Sequence, residues 1–217
     1  MARNLIGLNP SSEKLTEYLA SLAFANPISV SNPTIPEVKS YPDAVYLNYF
    51  ALGLSLLFSP LAGYNPKSGL RFSELTNDKL VIDSIDIYNI PKPSSSDPRS
   101  KGTSSRTAEL AFASFPLLPL VLDVGGEVKD KDGNVVARPA QLEITQQTTG
   151  KEFVECLGEP DRKGGGAGPS SGSIGIWCEW TKDGIMVEFG GDEAKGPQAW
   201  ERGKDAAWKV MTLFSAK

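Results

Sequence analysis

The chain of 217 residues contains no histidine. Histidine is the side chain that most often serves as general base, proton shuttle and metal ligand near neutral pH. Its absence excludes a serine or cysteine nucleophile activated by histidine, and it excludes zinc or iron sites built on histidine. Any catalysis would have to use Asp, Glu, Lys or Tyr side chains with shifted pKa values.

Cysteine is scarce and positive charge is not in surplus. Cys156 and Cys178 are the only cysteines, too few for a disulfide framework, so we expect two buried free thiols. Lys and Arg number 22 against 26 Asp and Glu, which gives a net charge of -4. A chain without a cationic surplus is not expected to bind nucleic acid or an anionic membrane surface.

Long apolar runs are also missing. The two most apolar segments, 44–58 and 110–124, are interrupted by polar residues or proline and are too short to span a bilayer. The first residues lack the apolar core of a signal peptide. We therefore expect a cytoplasmic protein, and its length fits one domain over residues 1–217.

The periodicity of apolar residues predicts a mixture of helices and strands. Helical spacing predicts one helix that is capped by Ser11 or Ser12 and ends at Asn26, and another over 148–157, with shorter helical segments around 107–114 and Trp200. Alternation and turn residues predict strands in 45–58, 79–89, 117–124, 174–180, 185–189 and 209–214, and a hairpin over 128–136. In 79–89, alternation places Asp83 on the same side as Val81, Ile85 and Ile87. The combination predicts a single α+β domain with an antiparallel β-sheet and two or three helices packed mainly on one face.

Several segments are predicted to be irregular. Four prolines between residues 26 and 42 indicate an extended strap, and 64–73 is typical of a loop. Residues 91–107 contain no apolar side chain, which predicts a mobile solvated loop; a phosphorylated regulatory segment is the alternative. A glycine-rich loop is predicted over 162–173.

Two glycine-rich motifs suggest chemistry that their context does not support. Residues 168–172 spell G-x-S-x-G, but the strand, helix and histidine that a hydrolase nucleophile elbow requires are missing. Lys163 precedes a run of glycines, whereas a phosphate-binding P-loop places lysine after its last glycine. An anion held near Arg162 and Lys163 is an alternative to a plain surface loop.

The hairpin over 174–189 carries the most specific prediction. A four-residue turn sets Trp180 opposite Ile185, and alternation then divides the side chains between two faces. The predicted core face contains Ile174, Ile176, Cys178, Trp180, Ile185, Val187 and Phe189. The other face contains Trp177, Glu179, Met186 and Glu188, with Glu188 across from Trp177 and Glu179 across from Met186.

An aromatic ring, a thioether and two carboxylates are suited to a cationic or planar aromatic ligand, and Tyr88 is a candidate for a further wall. The alternative is that a helix or a second subunit covers Trp177 and Met186 while the glutamates reach water.

Two resemblances add to this interpretation. The run FVECLGEP over 153–160, followed by a hairpin, resembles the helix, L-G-x-P and β-meander unit of small outer-membrane assembly lipoproteins and β-lactamase-inhibitor-like proteins. That resemblance implies a helix lying across an antiparallel sheet. The runs LGEPDRKGGG over 157–166, IWCEW over 176–180 and WERGKDAAW over 200–208 resemble small intracellular proteins of mushroom-forming fungi. Pigment-binding chromoproteins occur in that group, which implies a noncovalently held planar aromatic chromophore.

Together these features predict a non-enzymatic protein that binds a small planar aromatic or apolar ligand, of which a pigment is one kind. Trp177, Met186 and Tyr88 would form the walls, and Glu179 or Glu188 the polar anchors. No catalytic residue, metal or obligatory cofactor is expected. The alternatives are a protein-interaction or self-assembly module, such as a homodimer that uses the same face, and an enzyme that works without histidine.

Overall fold

A computed structural model describes residues 2–26, 32–90, 111–125, 127–129, 134–166 and 175–217. The α-helices are α1 (Glu13–Ala25), α2 (Gly150–Leu157) and α3 (Ala199–Arg202). The β-strands are β1 (Glu37–Tyr41), β2 (Ala44–Tyr49), β3 (Leu54–Pro60), β4 (Leu80–Tyr88), β5 (Leu120–Asp123), β6 (Val128–Lys129), β7 (Val135–Val136), β8 (Gln141–Ile144), β9 (Arg162–Gly164), β10 (Trp177–Trp180), β11 (Ile185–Phe189) and β12 (Trp208–Phe214). Three helices and antiparallel strand pairs confirm the predicted α+β class.

The chain divides into two compact units. Of the described residues, the first unit contains 2–26, 32–90, 111–117 and 212–215, and the second contains the remainder. The last residues of β12 therefore belong to the first unit, and its first residues belong to the second. The prediction of one domain over the whole chain stays a prediction.

In the first unit, β1 to β4 follow one another as an antiparallel meander, and the end of β12 lies beside β4. Alternation along these strands buries one face of the sheet. The buried apolar residues of these strands include Val45, Leu47, Tyr49, Leu54, Leu56, Phe58, Ile82, Ile85 and Ile87. Helix α1 confirms the first predicted helix and adds Leu15, Leu19 and Leu22 to the core.

Segment 45–58 forms two strands where the sequence predicts one continuous strand pattern. A single 3-10 turn over Phe50–Leu52 reverses the chain, and Gly53 follows it with a φ of 59°. A Cβ at Gly53 would lie 2.5 Å from the carbonyl oxygen of Ala113. The left-handed backbone and the close approach both require glycine, so the apolar run is broken into β2 and β3.

Strand β4 confirms the strand predicted over 79–89, but not all of its predicted faces. Its register to β3 shifts between Leu57 and Phe58, so Phe58 pairs with Ile82 and Leu57 with Ser84. Because this irregularity inserts one extra residue, Ile82 and Ile85 are both buried while Asp83 is exposed. The prediction that Asp83 shares a side with Ile85 is therefore wrong.

The strap predicted over 26–42 is partly a strand, which corrects the prediction. Residues Glu37–Tyr41 form β1 and pair with β2 in register. Pro36 and Pro42 stand just outside this strand, so every residue within it has a backbone N–H for the sheet. Residues 27–31 of the predicted strap lie outside the described residues.

In the second unit, the strands follow the order β12 (its first residues), β11, β10 and β9, while β5 pairs with β8 and β6 with β7. Helix α2 begins after Thr149, whose backbone N–H donates to the Glu152 carboxylate at 2.7 Å. Its Phe153 ring packs near Trp180 and Phe189, with ring centroids 6.1 Å apart in each pair. This helix and the hairpin confirm the sequence prediction for residues 148–157 and 177–189.

Other predicted segments differ in extent. The strand predicted over 117–124 covers Leu120–Asp123, and Gln141–Ile144 forms a strand that was not predicted. Residues 162–164 of the predicted glycine-rich loop form strand β9 instead. Residues 112–114 are not helical, and residues 107–110 of that predicted helix lie outside the described residues. So do the predicted loop over 91–107 and the G-x-S-x-G motif.

Candidate functional site

The hairpin of β10 and β11 has the register that its turn predicts. Trp177 pairs with Glu188, Cys178 with Val187, Glu179 with Met186 and Trp180 with Ile185. Burial alternates along both strands, with Cys178, Trp180, Ile185, Val187 and Phe189 buried. The predicted core face is therefore confirmed for its described members, while Ile174 lies outside them. We call the opposite face, with Trp177, Glu179, Met186 and Glu188, the tryptophan face.

Strand β9 supports the Trp177 ring. Gly164 pairs directly with Trp177, so both residues point to the same side of the sheet. A Cβ built on Gly164 would lie 2.7 Å from Trp177 Cζ2 and 2.9 Å from Cε2. The indole thus lies against Gly164, in a space that any larger side chain would fill.

Arg162 extends the tryptophan face across the same strand. Its guanidinium carbon lies 5.9 Å from the centroid of the Trp177 ring, within the range of a cation–π contact. Its Nη1 also donates to Glu179 Oε2 at 3.1 Å, and the Thr181 hydroxyl lies 3.2 Å from the other carboxylate oxygen. Arg162 therefore links the aromatic ring to the glutamate, and both oxygens of Glu179 are engaged.

The second glutamate of the face is also paired. Lys209 Nζ, from β12, donates to Glu188 Oε1 at 3.2 Å, and both side chains are largely buried, with 21% and 25% of their surface exposed. The face therefore holds two cations and two anions, arranged as Arg162–Glu179 and Lys209–Glu188. Its net charge is zero, which differs from the negative face expected from the hairpin alone.

Trp177 and Met186 form the apolar part of this face. They occupy diagonal positions across β10 and β11, a spacing within reach of aromatic and long side chains. Both are partly exposed, so neither is fully covered by the protein. The result is a partly exposed apolar surface with an ion pair on each side.

Arg162 and Lys163, the predicted anion-binding pair, point in different directions. Arg162 pairs with Glu179 on the tryptophan face, whereas Lys163 pairs with Cys178 on the other face. Lys163 Nζ lies 5.8 Å from the centroid of Trp200, an exposed ring in α3. Each cation thus contacts its own tryptophan, and the arrangement does not favour one anion held between them.

Tyr88 is the one predicted site residue that is not in the second unit. It is the last residue of β4 in the first unit, where its ring stacks on Phe112 with centroids 3.8 Å apart and planes 3° apart. The structure thus brings together four of the five predicted ligand-binding residues within one unit.

The sequence does not reveal that two cations pair with the glutamates. It predicts Arg162 in a glycine-rich loop, as a candidate anion-binding residue, and Lys209 in a strand whose neighbours it does not identify. The alternation of side chains along the strands would reveal part of this arrangement. Once β9 is paired with β10, one face of the two strands contains Arg162, Gly164, Trp177 and Glu179. The pairing of β9 with β10 is a contact between segments distant in the sequence, and no local pattern reveals it.

Comparisons with models of protein families, with curated proteins and with solved structures gave no match. Within the described ranges, no helix has the length and apolar character needed to cross a bilayer. The same part of the chain contains no group of three or more Cys, Asp or Glu residues arranged to hold a metal ion.

Proposed function

We propose that the tryptophan face binds a small planar aromatic or apolar ligand without chemical transformation. The observation that carries this proposal is the Trp177 ring, which lies over Gly164 and beside the Arg162 guanidinium while part of it stays exposed. A ring held in this way offers a rigid stacking surface at low entropic cost. Met186 extends the surface with a thioether, which adapts to ligands of different shape.

The paired charges favour a neutral planar ligand over a cationic one. A cationic ligand anchored by Glu179 or Glu188 would have to compete with Arg162 or Lys209 for the same oxygen atoms. A neutral ring with polar substituents can stack on Trp177 and hydrogen-bond to the rim of the ion pairs. A pigment is a ligand of this kind, and it would be held noncovalently.

The cysteines and the net charge support a cytoplasmic location and argue against two classes of partner. Two buried free thiols fit a reducing, cytoplasmic compartment, and the small negative net charge opposes nucleic acid and anionic membranes as partners. An enzyme that uses these two glutamates has less support, because each carboxylate already accepts a hydrogen bond from a cation.

A test of the proposal combines native mass spectrometry with a UV–visible spectrum of the full chain, purified from its natural source without denaturation. We expect a discrete added mass or an absorption band beyond the aromatic region, lost on unfolding. Trp177→Ala should release the ligand, whereas Trp200→Ala, which removes an exposed tryptophan from the other face, should retain it. A bare mass for the unaltered protein, or equal retention by both variants, would refute the assignment.

Self-association is the second candidate, and it is favoured by the neutrality of the face. Because its four charges pair within the chain, two copies could bring their Trp177 and Met186 side chains together without burying an unpaired charge. Light scattering with size-exclusion chromatography separates the two candidates. A dimer that Trp177→Ala converts to a monomer supports self-association, and a monomer in both cases supports the ligand.

A further inference from the structure

The face of the first unit's sheet opposite Leu47, Leu56 and Ile85 contains a row of polar residues at its centre. Asn48 pairs with Ser55, and Ser55 pairs with Asp86, so the three side chains stand side by side on neighbouring strands. Thr212 of β12 completes the row, because its hydroxyl donates to Asp86 Oδ1 at 2.7 Å. We call Asn48, Ser55, Asp86 and Thr212 the polar row.

The polar row is unusually well buried for the face opposite a core. Asn48 is 7% exposed and Ser55 is 3% exposed, and the Ser55 hydroxyl lies 2.7 Å from Asn48 Oδ1. Asp86 and Thr212 stay partly exposed and form the accessible end of the row. Burial raises the pKa of Asp86, an effect that the hydrogen bond from Thr212 opposes. Carboxyl groups in such surroundings are more common at functional sites than on ordinary surfaces.

Aromatic rings flank the polar row on both sides. Tyr46 stands two residues before Asn48 on β2, and its ring contacts Tyr41 edge to face at 6.3 Å. Tyr88 stands two residues after Asp86 on β4, and its ring stacks on Phe112. Burial raises the pKa of Tyr46, and the negative charge of Asp86 acts in the same direction.

The hydrogen-bonding pattern of the row matches hydroxyl groups. Because Asn48 Oδ1 accepts the Ser55 hydroxyl, the amide group of Asn48 is left to donate, and the lone pairs of Ser55 are left to accept. The Thr212 hydroxyl donates a hydrogen bond to Asp86 Oδ1. The other carboxyl oxygen, Oδ2, can accept a hydrogen bond when the group is ionised and donate one when it is protonated. A ligand hydroxyl both donates and accepts, and it can satisfy such a mixed set.

Charge argues against an anionic ligand at this place. None of the four residues of the polar row carries a positive charge, and Asp86 carries the only negative one. On β1, Lys39 pairs with Glu37 at 3.2 Å, and both side chains are about half exposed. An anion would meet the Asp86 carboxyl group without a cation in the polar row to compensate it.

We infer that the polar row and the two aromatic pairs that flank it form a second binding site, for a neutral polyol or monosaccharide. Asp86 and Thr212, the accessible end of the row, would hydrogen-bond to ligand hydroxyls, while the tyrosine rings at either side would contact the apolar C–H surface of the sugar. This site lies within the first unit and uses none of the residues of the tryptophan face.

The experiment is a titration of the full-length ¹⁵N-labelled protein with D-glucose, D-galactose and D-mannitol, followed by amide chemical shifts. We expect saturable shifts at Ser55, Asp86 and Thr212 with at least one probe, and a dissociation constant on the order of millimolar. Thr212→Val keeps the side-chain shape and removes one hydrogen bond, so it should weaken binding about fivefold. Thr16→Val removes a hydroxyl from exposed α1 and should change nothing.

Two results would overturn the inference. One is that none of the three probes produces a saturable shift at these amides in the folded, unaltered protein. The other is that Thr212→Val binds as tightly as the unaltered chain. Trp177→Ala should leave the sugar titration unchanged, so failure of this site is distinguishable from failure of the tryptophan face.

Discussion

Arg138 and Asp183 form a two-point ion pair in the second unit. Arg138 Nη1 lies 2.9 Å from Asp183 Oδ2, and Nη2 lies 2.7 Å from Oδ1, with each side chain only 8% exposed. The same guanidinium donates to the carbonyl oxygen of Gly125. Since Asp183 belongs to the turn between β10 and β11, this pair fixes the segment around Arg138 to the end of the hairpin.

Removing one partner of this pair should destabilise the protein strongly. Asp183→Ala leaves a buried guanidinium without its carboxylate, and we expect the free energy of unfolding to fall by about 3–5 kcal/mol. Urea denaturation followed by circular dichroism measures this change. The double variant Arg138→Met with Asp183→Leu removes both charges and should recover most of the loss. A single variant within 1 kcal/mol of the unaltered chain would contradict the burial that the structure assigns.

Gly164→Ala should displace the Trp177 ring. The added Cβ would lie 2.7 Å from Trp177 Cζ2, so the indole has to move, at a cost of about 1–3 kcal/mol in stability. We expect a change in near-UV circular dichroism and weaker retention of a planar ligand. Gly125→Ala is the matched control, since nothing lies within 4 Å of its added Cβ. Identical spectra for both variants would show that Trp177 does not rest on Gly164.

The faces of the hairpin could be predicted because two local rules determine them. A four-residue turn sets Trp180 opposite Ile185, and alternation then assigns every other position. The same rules fail where the chain departs from regular pleating, as at the irregularity near Asp83 in β4. They also fail at β9, because glycine-rich composition indicates a loop and only its partner strand makes it part of the sheet.

Neither candidate site could be completed from sequence, because each depends on contacts distant in the chain. Lys209 meets Glu188 only because β12 lies beside β11. Thr212 is 126 positions away from the Asp86 that it hydrogen-bonds. Sequence patterns predict which residues share a strand face, whereas the order of strands in a sheet depends on the packing of the whole unit.

Cys178 should react slowly with thiol reagents in the native protein. Burial raises its pKa to about 11, although the positive charge of Lys163 acts in the opposite direction. At pH 8 its thiolate population is then about two hundredfold below that of an ordinary cysteine, whose pKa is near 8.5. We expect its alkylation by iodoacetamide to accelerate with pH up to about pH 11. Cys178→Ser isolates the reaction of Cys156, whose pKa is also raised by burial. Native Cys178 that reacts at the rate of the unfolded chain would contradict this environment.

Asp86 should make the protein less stable as the pH rises above the acidic range. Burial raises the pKa of its carboxyl group in the folded state above the usual range of an aspartate. At pH values between the pKa of Asp86 in the unfolded state and its higher pKa in the folded state, the folded protein binds more protons than the unfolded protein. The free energy of unfolding therefore falls as the pH rises through this range. Above the folded pKa the loss is complete and stability no longer depends on this group.

Asp86→Asn removes this dependence while it keeps the acceptor for the Thr212 hydroxyl. We expect the variant to exceed the unaltered protein in stability at pH 7 and to lose that advantage near pH 3.5, because the neutral acid and the amide are then nearly equivalent. Urea denaturation of both proteins across this range gives the difference, and subtraction cancels the titration of all other carboxylates. The prediction is wrong if the stability of Asp86→Asn minus that of the unaltered protein is lower at pH 7 than at pH 3.5. That result would mean that the folded protein stabilises the Asp86 carboxylate.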